Sequence, residues 1–144
     1  MSLPEKRIVE LIKKHHVLTL VTSCDNLPWC AHCFYTYLEN KNWLVFTSEE
    51  ATKHVQDALA NPEVAGGIVL ETMNVGKIRG IQLRGIMRQP LEEEAGEVKM
   101  AYLKRFPFAV VMNIKSLWIL EIQYIKMTDN RLGFGKKAIW EKGD

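Results

Sequence analysis

Three cysteines, nine glycines and five prolines in 144 residues are too few for a disulfide framework, a collagen-like repeat or a low-complexity chain. An odd cysteine count, in a chain large enough to bury about 70% of its unfolded surface, points to reduced thiols and a core that needs no staples. Long apolar runs are missing as well. The longest, residues 17–21 and 106–112, fall far short of the roughly 20 residues that a membrane-spanning helix requires, so no span and no membrane partner is expected. Nor is there an excess of one charge. Nineteen Lys and Arg against seventeen Asp and Glu give +2, with the cations scattered, which argues against a nucleic-acid partner. Glu5, Lys6, Arg7, Glu10, Lys13 and Lys14 interrupt what would be the apolar heart of a signal peptide, so a cytoplasmic protein is expected.

What is present is 47% hydrophobic residues in an order that alternates between two periods. Ser2 and Glu5 have capping-box spacing, Pro4 would sit in a first turn, and Ile8, Leu11 and Ile12 follow at helical intervals; the spacing predicts a helix over 4–15. Residues 17–22, 29–38 and 43–47 are β-rich and are separated by Asp25-Asn26-Leu27-Pro28 and Glu39-Asn40-Lys41-Asn42, as consecutive antiparallel strands would be. Ser48 is placed to cap a second helix that Asn61-Pro62 stops. Strands are expected again at 64–72, 78–87 and 117–127, with a third helix between the last two that carries Leu91, Ala95, Val98 and Tyr102 on one face and ends near Phe106-Pro107. Without repeats or linkers, residues 1–144 read as one mainly β domain with marginal helices: six strands in a small closed barrel.

Three motifs carry chemistry on paper. Cys30-Ala31-His32-Cys33 has redox and zinc-ligand spacing, but in a strand its two sulfurs leave from opposite faces and three residues span about 10 Å, beyond the roughly 7 Å a disulfide tolerates. No second pair completes a zinc site, so the reading is of apolar cysteines and no metal. Gly133-Phe134-Gly135-Lys136-Lys137-Ala138 matches the dinucleotide fingerprint without the βαβ unit that must follow it, which leaves a glycine loop with two cations: a lid over a site or a solvated tail. Phe46-Thr47-Ser48, followed by Thr52-Lys53-His54 opening a helix, gathers hydroxyls, an ammonium, an imidazole and free backbone N–H groups, which is what a phosphate needs; a capped helix with a charged first turn would look the same.

Together these residues resemble the pyridoxamine 5'-phosphate oxidase-like, FMN-binding split-barrel superfamily. The resembling features are a strand ending Leu44-Val45-Phe46-Thr47, the Thr-Lys-His turn, the Asn61-Pro62 stop and the strands at 64–70 and 79–85. Residues 125–137, with Arg105-Phe106-Pro107 before them, look like a small bacterial subfamily of that group to which no reaction is assigned. The resemblance covers nearly the whole chain and implies a six-stranded antiparallel split barrel, a homodimer, and FMN held in the dimer interface. It assigns the phosphate to Phe46, Thr47, Thr52, Lys53 and His54, most firmly to Thr47 and Lys53. The flavin ring would lie against Ala31, His32, Cys33 and Phe34, with Gly80 and Gln82 approaching from a later strand.

Three positions depart from the pattern. The oxidases carry an arginine and a lysine where this chain has Ala31 and Thr36, and the histidine that meets their pyridoxal phosphate has no counterpart in Leu132-Gly133-Phe134. Vitamin B6 oxidation is therefore not what the resemblance implies. The expectation is an FMN-dependent oxidoreductase that passes a hydride from a donor such as NAD(P)H to a small substrate, with His32 the one candidate for a proton-transfer role. The alternative is a non-enzymatic protein on the same barrel that holds haem, a deazaflavin or a metabolite. Adjacent His15 and His16 point about 100° apart on a helix and make a poor axial pair for haem.

Overall fold

The computed structural model describes residues 2–110, 116–133 and 136–143. Seven antiparallel strands form one sheet: β1 (Val17–Cys24), β2 (Leu27–Leu38), β3 (Trp43–Thr47), β4 (Glu63–Val69), β5 (Arg79–Arg88), β6 (Leu117–Asp129) and β7 (Lys137–Glu141). Three helices accompany it: α1 (Lys6–Lys14), α2 (Lys53–Ala60) and α3 (Glu92–Arg105). The strand order is β3-β2-β1-β4-β5-β6-β7, and β3 also pairs with β6, so six strands close into a ring.

The ring is split because β6 has more length than one neighbour can use. One edge of β6 pairs with β5; the other pairs first with β3, from Leu117 to Glu121, and then with β7, from Tyr124 to Thr128. A bulge at Arg84/Gly85, opposite Ile122 to Tyr124, bends the strand between those two partners. Gly85 is obligatory there, since a Cβ on it would lie 2.3 Å from the Glu121 carbonyl oxygen. The Asp25-Asn26 turn places both residues at positive φ (53° and 63°), the hairpin geometry that matches strand twist and that short Asx side chains tolerate.

Inward-facing Leu18, Leu20, Tyr35, Leu44, Phe46, Ile68, Leu83, Trp118, Leu120 and Ile125 fill the barrel. From α1, Ile8, Leu11 and Ile12 join that core, and α2 adds Val55 and Ala58. The third helix lies outside, over the outer face of β3 and the start of β6, where Val98 and Tyr102 pack with Leu38, Val45 and Ile119. Arg88 ties it down, bonded to both oxygens of Glu94 and to Glu121.

The architecture is the expected mainly β split barrel, with four local corrections. Among the described residues the strand count is seven, not six. Residues 137–141 follow a glycine loop that reads as a lid or a solvated tail, yet Ala138 and Trp140 alternate into the core at 8% and 7% exposure, and Trp140 Nε1 donates to the Ser2 carbonyl at 3.2 Å. The Ser2–Glu5 capping box does not form, because α1 starts at Lys6 and the Glu5 side chain turns to Arg7 instead. Likewise α2 starts four residues after Ser48, at an N-cap of Thr52. On α3 only Val98 and Tyr102 of the expected stripe are buried, since the helix meets the barrel with its second half and leaves Leu91 and Ala95 exposed. Phe134 and Gly135 of the glycine loop, and Val111 and Met112 of the apolar stretch 106–112, lie outside the described residues.

Candidate functional site

The strand period divides the predicted residues of β2 between two environments. Ala31 and Cys33 face the barrel interior, whereas Cys30, His32 and Phe34 face out and are exposed. Cys33 is deeply buried, its Sγ 3.9 Å from Ser48 Oγ, and burial raises its thiol above the ordinary cysteine value. Phe46 is wholly enclosed in the core. Both side chains therefore serve packing, and neither reaches a ligand outside the barrel.

The start of α2 forms one half of the candidate site. Its N-terminus has no side-chain cap, so the first-turn N–H groups are open to an anion. Around it, Thr52 Oγ1 donates to the Glu49 carbonyl at 2.7 Å, and His54 Nε2 lies 2.7 Å from Ser48 Oγ. Burial lowers the His54 pKa, with the Asp57 carboxylate opposing it, which favours the neutral ring at neutral pH. Lys53 Nζ sits 3.2 Å from Asp57 and 5.6 Å from the Trp29 ring centre. Asp57 is buried and also accepts a hydrogen bond from Thr22 Oγ1 at 3.0 Å.

The second half is the outer face of the sheet that α3 leaves bare. Register aligns His32 with Thr19, Thr19 with Gly67, Gly67 with Gln82 and Gln82 with Lys126, a row across five strands. His32 and Gln82 thus share a face, about 14 Å apart at the usual strand spacing. His32 Nδ1 is 3.1 Å from Thr19 Oγ1, which leaves Nε2 to face outward. Along the neighbouring row lie Phe34, Val17, Val69 and Gly80, and Ile139 of β7 flanks it. Val17, Phe34, Val69 and Ile139 are 37%, 57%, 65% and 63% exposed. Phe34 stacks on Phe106 at 5.9 Å, and Phe106 packs on Tyr102 at 5.0 Å, so the end of α3 forms one wall.

Glycines give this face its shape. At Gly66 a Cβ would lie 2.8 Å from Leu18 Cδ1, so a side chain there would force the core side chains to shift. At Gly67 a Cβ would meet only the Ile81 carbonyl oxygen, at 3.7 Å, and nothing among the described residues requires its absence. Glycine inside a strand is destabilising, and its usual reason is close approach by a ligand or another backbone. Gly67, Thr19, Asp57 and Trp29 were not singled out from sequence. The Gly66-Gly67 pair inside a β-like run was the available signal for the first, and the i, i+4 spacing of Lys53 and Asp57 for the third.

This fold and this bare, glycine-flattened face define a split barrel, and comparison with solved structures agrees. The chain superposes on a haem-binding protein of Mycobacterium smegmatis with a TM-score of 0.78 at 19% identity, over 97% of this chain and 60% of that longer one. It superposes on an FAD-binding protein of Mesorhizobium loti at 0.69 and 12% identity, covering 84% and 91% of the two chains, and on HutZ, the haem storage protein of Vibrio cholerae, at 0.68 and 12%, covering 99% and 96%. No family model matches. At the level of sequence the chain belongs to the UPF0306 family: it is 38% identical over 135 residues to the UPF0306 protein of Yersinia pseudotuberculosis serotype O:3 (strain YPIII), covering 94% of this chain and 91% of that one. No helix among the described residues is long and apolar enough to cross a membrane.

Proposed function

We propose that this protein binds a flavin, FMN in particular, on the bare sheet face between β2 and β5, and that a second copy of the chain covers that face to complete a homodimer. The observation that carries the reading is Gly67, a strand glycine where a Cβ would make only an ordinary 3.7 Å contact, on a sheet face whose neighbouring row carries the exposed Val17, Phe34 and Val69. Two split barrels of similar fold are FAD-binding proteins, which supports the flavin. The residues fit such a group in kind. Open N–H groups of α2 with Thr52 and Lys53 would take the phosphate, Thr47 the ribityl end, and the surface from His32 and Phe34 to Gly80 and Gln82 the ring.

Bound flavin supplies two-electron transfer, here between a reduced nicotinamide and a small substrate. The chain's own part is to anchor, orient and shield. Asp57 fixes Lys53, Phe34 and Phe106 wall the ring pocket, and His32, with one nitrogen held by Thr19, offers the other for a proton.

That same outward-facing His32 nitrogen favours a second reading, a non-enzymatic haem binder, since an exposed imidazole on an apolar face is a ready iron ligand. Deazaflavin or a metabolite would use the same surface. Absorbance and fluorescence spectra of the purified protein, repeated after adding FMN and then haemin, separate these readings; light scattering reports the dimer. One flavin per subunit on a dimer is the expected result. A monomer that ignores FMN and shows a Soret band with haemin, lost in His32→Gln, replaces the first reading with the second.

A further inference from the structure

We propose a second ligand site, away from the flavin face, in the mouth of the barrel beneath α1: a pocket for a small dianion of the phosphoryl type, free or as a compact monoester. The cavity there measures about 200 Å³, and Leu11 and Met127 form its apolar floor. Four cations line it, Arg7 and Lys14 from α1, Arg79 from the first position of β5 and Arg131 from the turn after β6, against a single carboxylate, Glu10.

Three of those five charges already have partners. Arg131 is clamped by buried Asp129, with Nε 3.0 Å from Oδ1 and Nη2 2.7 Å from Oδ2, a rigid fork that also holds the Asp129 carboxyl below the usual range. Arg7 bonds Glu5, and Glu10 lies 3.8 Å from Lys6. Lys14 and Arg79 have no ion-pair partner among the described residues. Arg79 is the more telling of the two. It shares the inward side of β5 with Ile81 and Leu83, and its Nε is buried without a hydrogen-bond acceptor. A buried, unpaired guanidinium nitrogen is costly, and it persists where something outside the protein supplies the acceptor.

The local potential agrees. Neighbouring His15 is held below its ordinary pKa first by burial and then by Lys14, Arg79, His16 and Arg105, and its Nε2 too is buried without a partner. Although Arg79 stands opposite Asp129 and helps hold that carboxyl down, Arg7, Lys14, Arg79 and Arg131 outnumber Glu10 and Asp129 by two, which matches a dianion, and guanidinium groups on separate elements match the several oxygens of a phosphoryl group better than the two of a carboxylate. At about 30 Å³ of liquid volume per water, the cavity has room for a phosphoryl group and a short organic stub.

The site does not depend on the flavin reading. Through the pairs Val21–Ala65 and Ala65–Arg84, Thr22 and the Asp57 and Lys53 beside it align about five residues along β5 from Arg79, about 17 Å away. The test is calorimetric titration of the full chain with inorganic phosphate and with glycerol 3-phosphate, run with and without FMN, on wild type, Arg79→Met, Lys14→Gln and Lys53→Ala. Expected is binding of at least one probe that falls about tenfold or more in Arg79→Met and Lys14→Gln and is unchanged in Lys53→Ala, with FMN titrations following the opposite pattern. Arg79→Met should melt no lower than wild type in the absence of anion, which shows that the variant is folded; Lys14 is exposed, so its variant stands in if it is not. Selectivity between the two probes tells free phosphate from a monoester. Silence with both probes, full binding by both mouth variants, or loss of binding only in Lys53→Ala overturns the proposal.

Discussion

Lys53 holds its ammonium 3.2 Å from the buried carboxylate of Asp57, one turn along α2, while Thr22 reaches the same carboxylate from β1. The cation assigned to the flavin phosphate is therefore already oriented by the fold. Lys53→Ala should weaken FMN binding about tenfold, the value of one charge-assisted contact, while lowering stability by less than about 1 kcal/mol, because the Lys53 side of the pair is half exposed. Fluorescence titration and urea melts of the same preparation read the two effects separately, and unchanged FMN affinity removes Lys53 from the site.

Asp57→Ala is the harsher change. It leaves Thr22 Oγ1 without its buried acceptor and frees Lys53, and the stability loss should be about 1–3 kcal/mol. Denaturant unfolding with matched m-values would show it.

Gly67 and Gly85 should respond oppositely to a side chain. Gly85→Ala drives a methyl into the Glu121 carbonyl at 2.3 Å and should unfold the barrel or lower its melting temperature steeply. Gly67→Val should leave the melting temperature of the isolated chain nearly unchanged while abolishing flavin binding and dimer formation. Circular dichroism melts and light scattering decide, and a Gly67→Val protein that still dimerises around flavin defeats the reading of this face.

Acidification should destabilise the protein from near pH 6.5 downward. Burial lowers the pKa values of both His15 and His54 from 6.5, so below that pH the unfolded chain binds protons that the folded chain resists. Stability is full above the unfolded value and falls by no more than about 1.4 kcal/mol per pH unit for each ring until the depressed folded value is reached. Asp129 and Glu94, held below the ordinary carboxylate range by Arg131 and Arg88, lose their contribution only below about pH 4.5, so the loss that begins near pH 6.5 belongs to the two rings. Thermal melts at pH 7.5 and 5.5 should converge in the His15→Gln/His54→Gln variant.

The last strand is structural. Trp140→Ala empties a buried aromatic site and breaks the hydrogen bond to Ser2, and it should cost about 3 kcal/mol in urea melts.

Six of the seven strands and all three helices are legible in the sequence because each carries a run of five or more residues with one clear period. The seventh is not: Ala138 and Trp140 are only two inward positions, and they follow a glycine loop that reads as a lid or a tail. Alternation alone separates Cys33 from His32 and Phe34, whereas a resemblance mapped onto consecutive residues groups them together. Phe46 was assigned to the phosphate on the same basis, although its strand lies between two neighbours with its side chain enclosed. What no local pattern reveals is long-range pairing. That β6 serves three strands, or that Arg79 meets Lys14 across the mouth of the barrel, depends on the closure of the ring.

That shared β6 also dictates the order in which the protein can be made. Until residues 117–129 leave the ribosome, β3 and β5 each present an unsatisfied edge, and the partner of β3 is some seventy residues away along the chain. Ring closure is a late, high-separation event of the kind that slows folding and exposes nascent edges to one another. Trp118 sits on that seam with its indole nitrogen 3.0 Å from the Ser48 carbonyl, so its fluorescence marks the moment the barrel shuts.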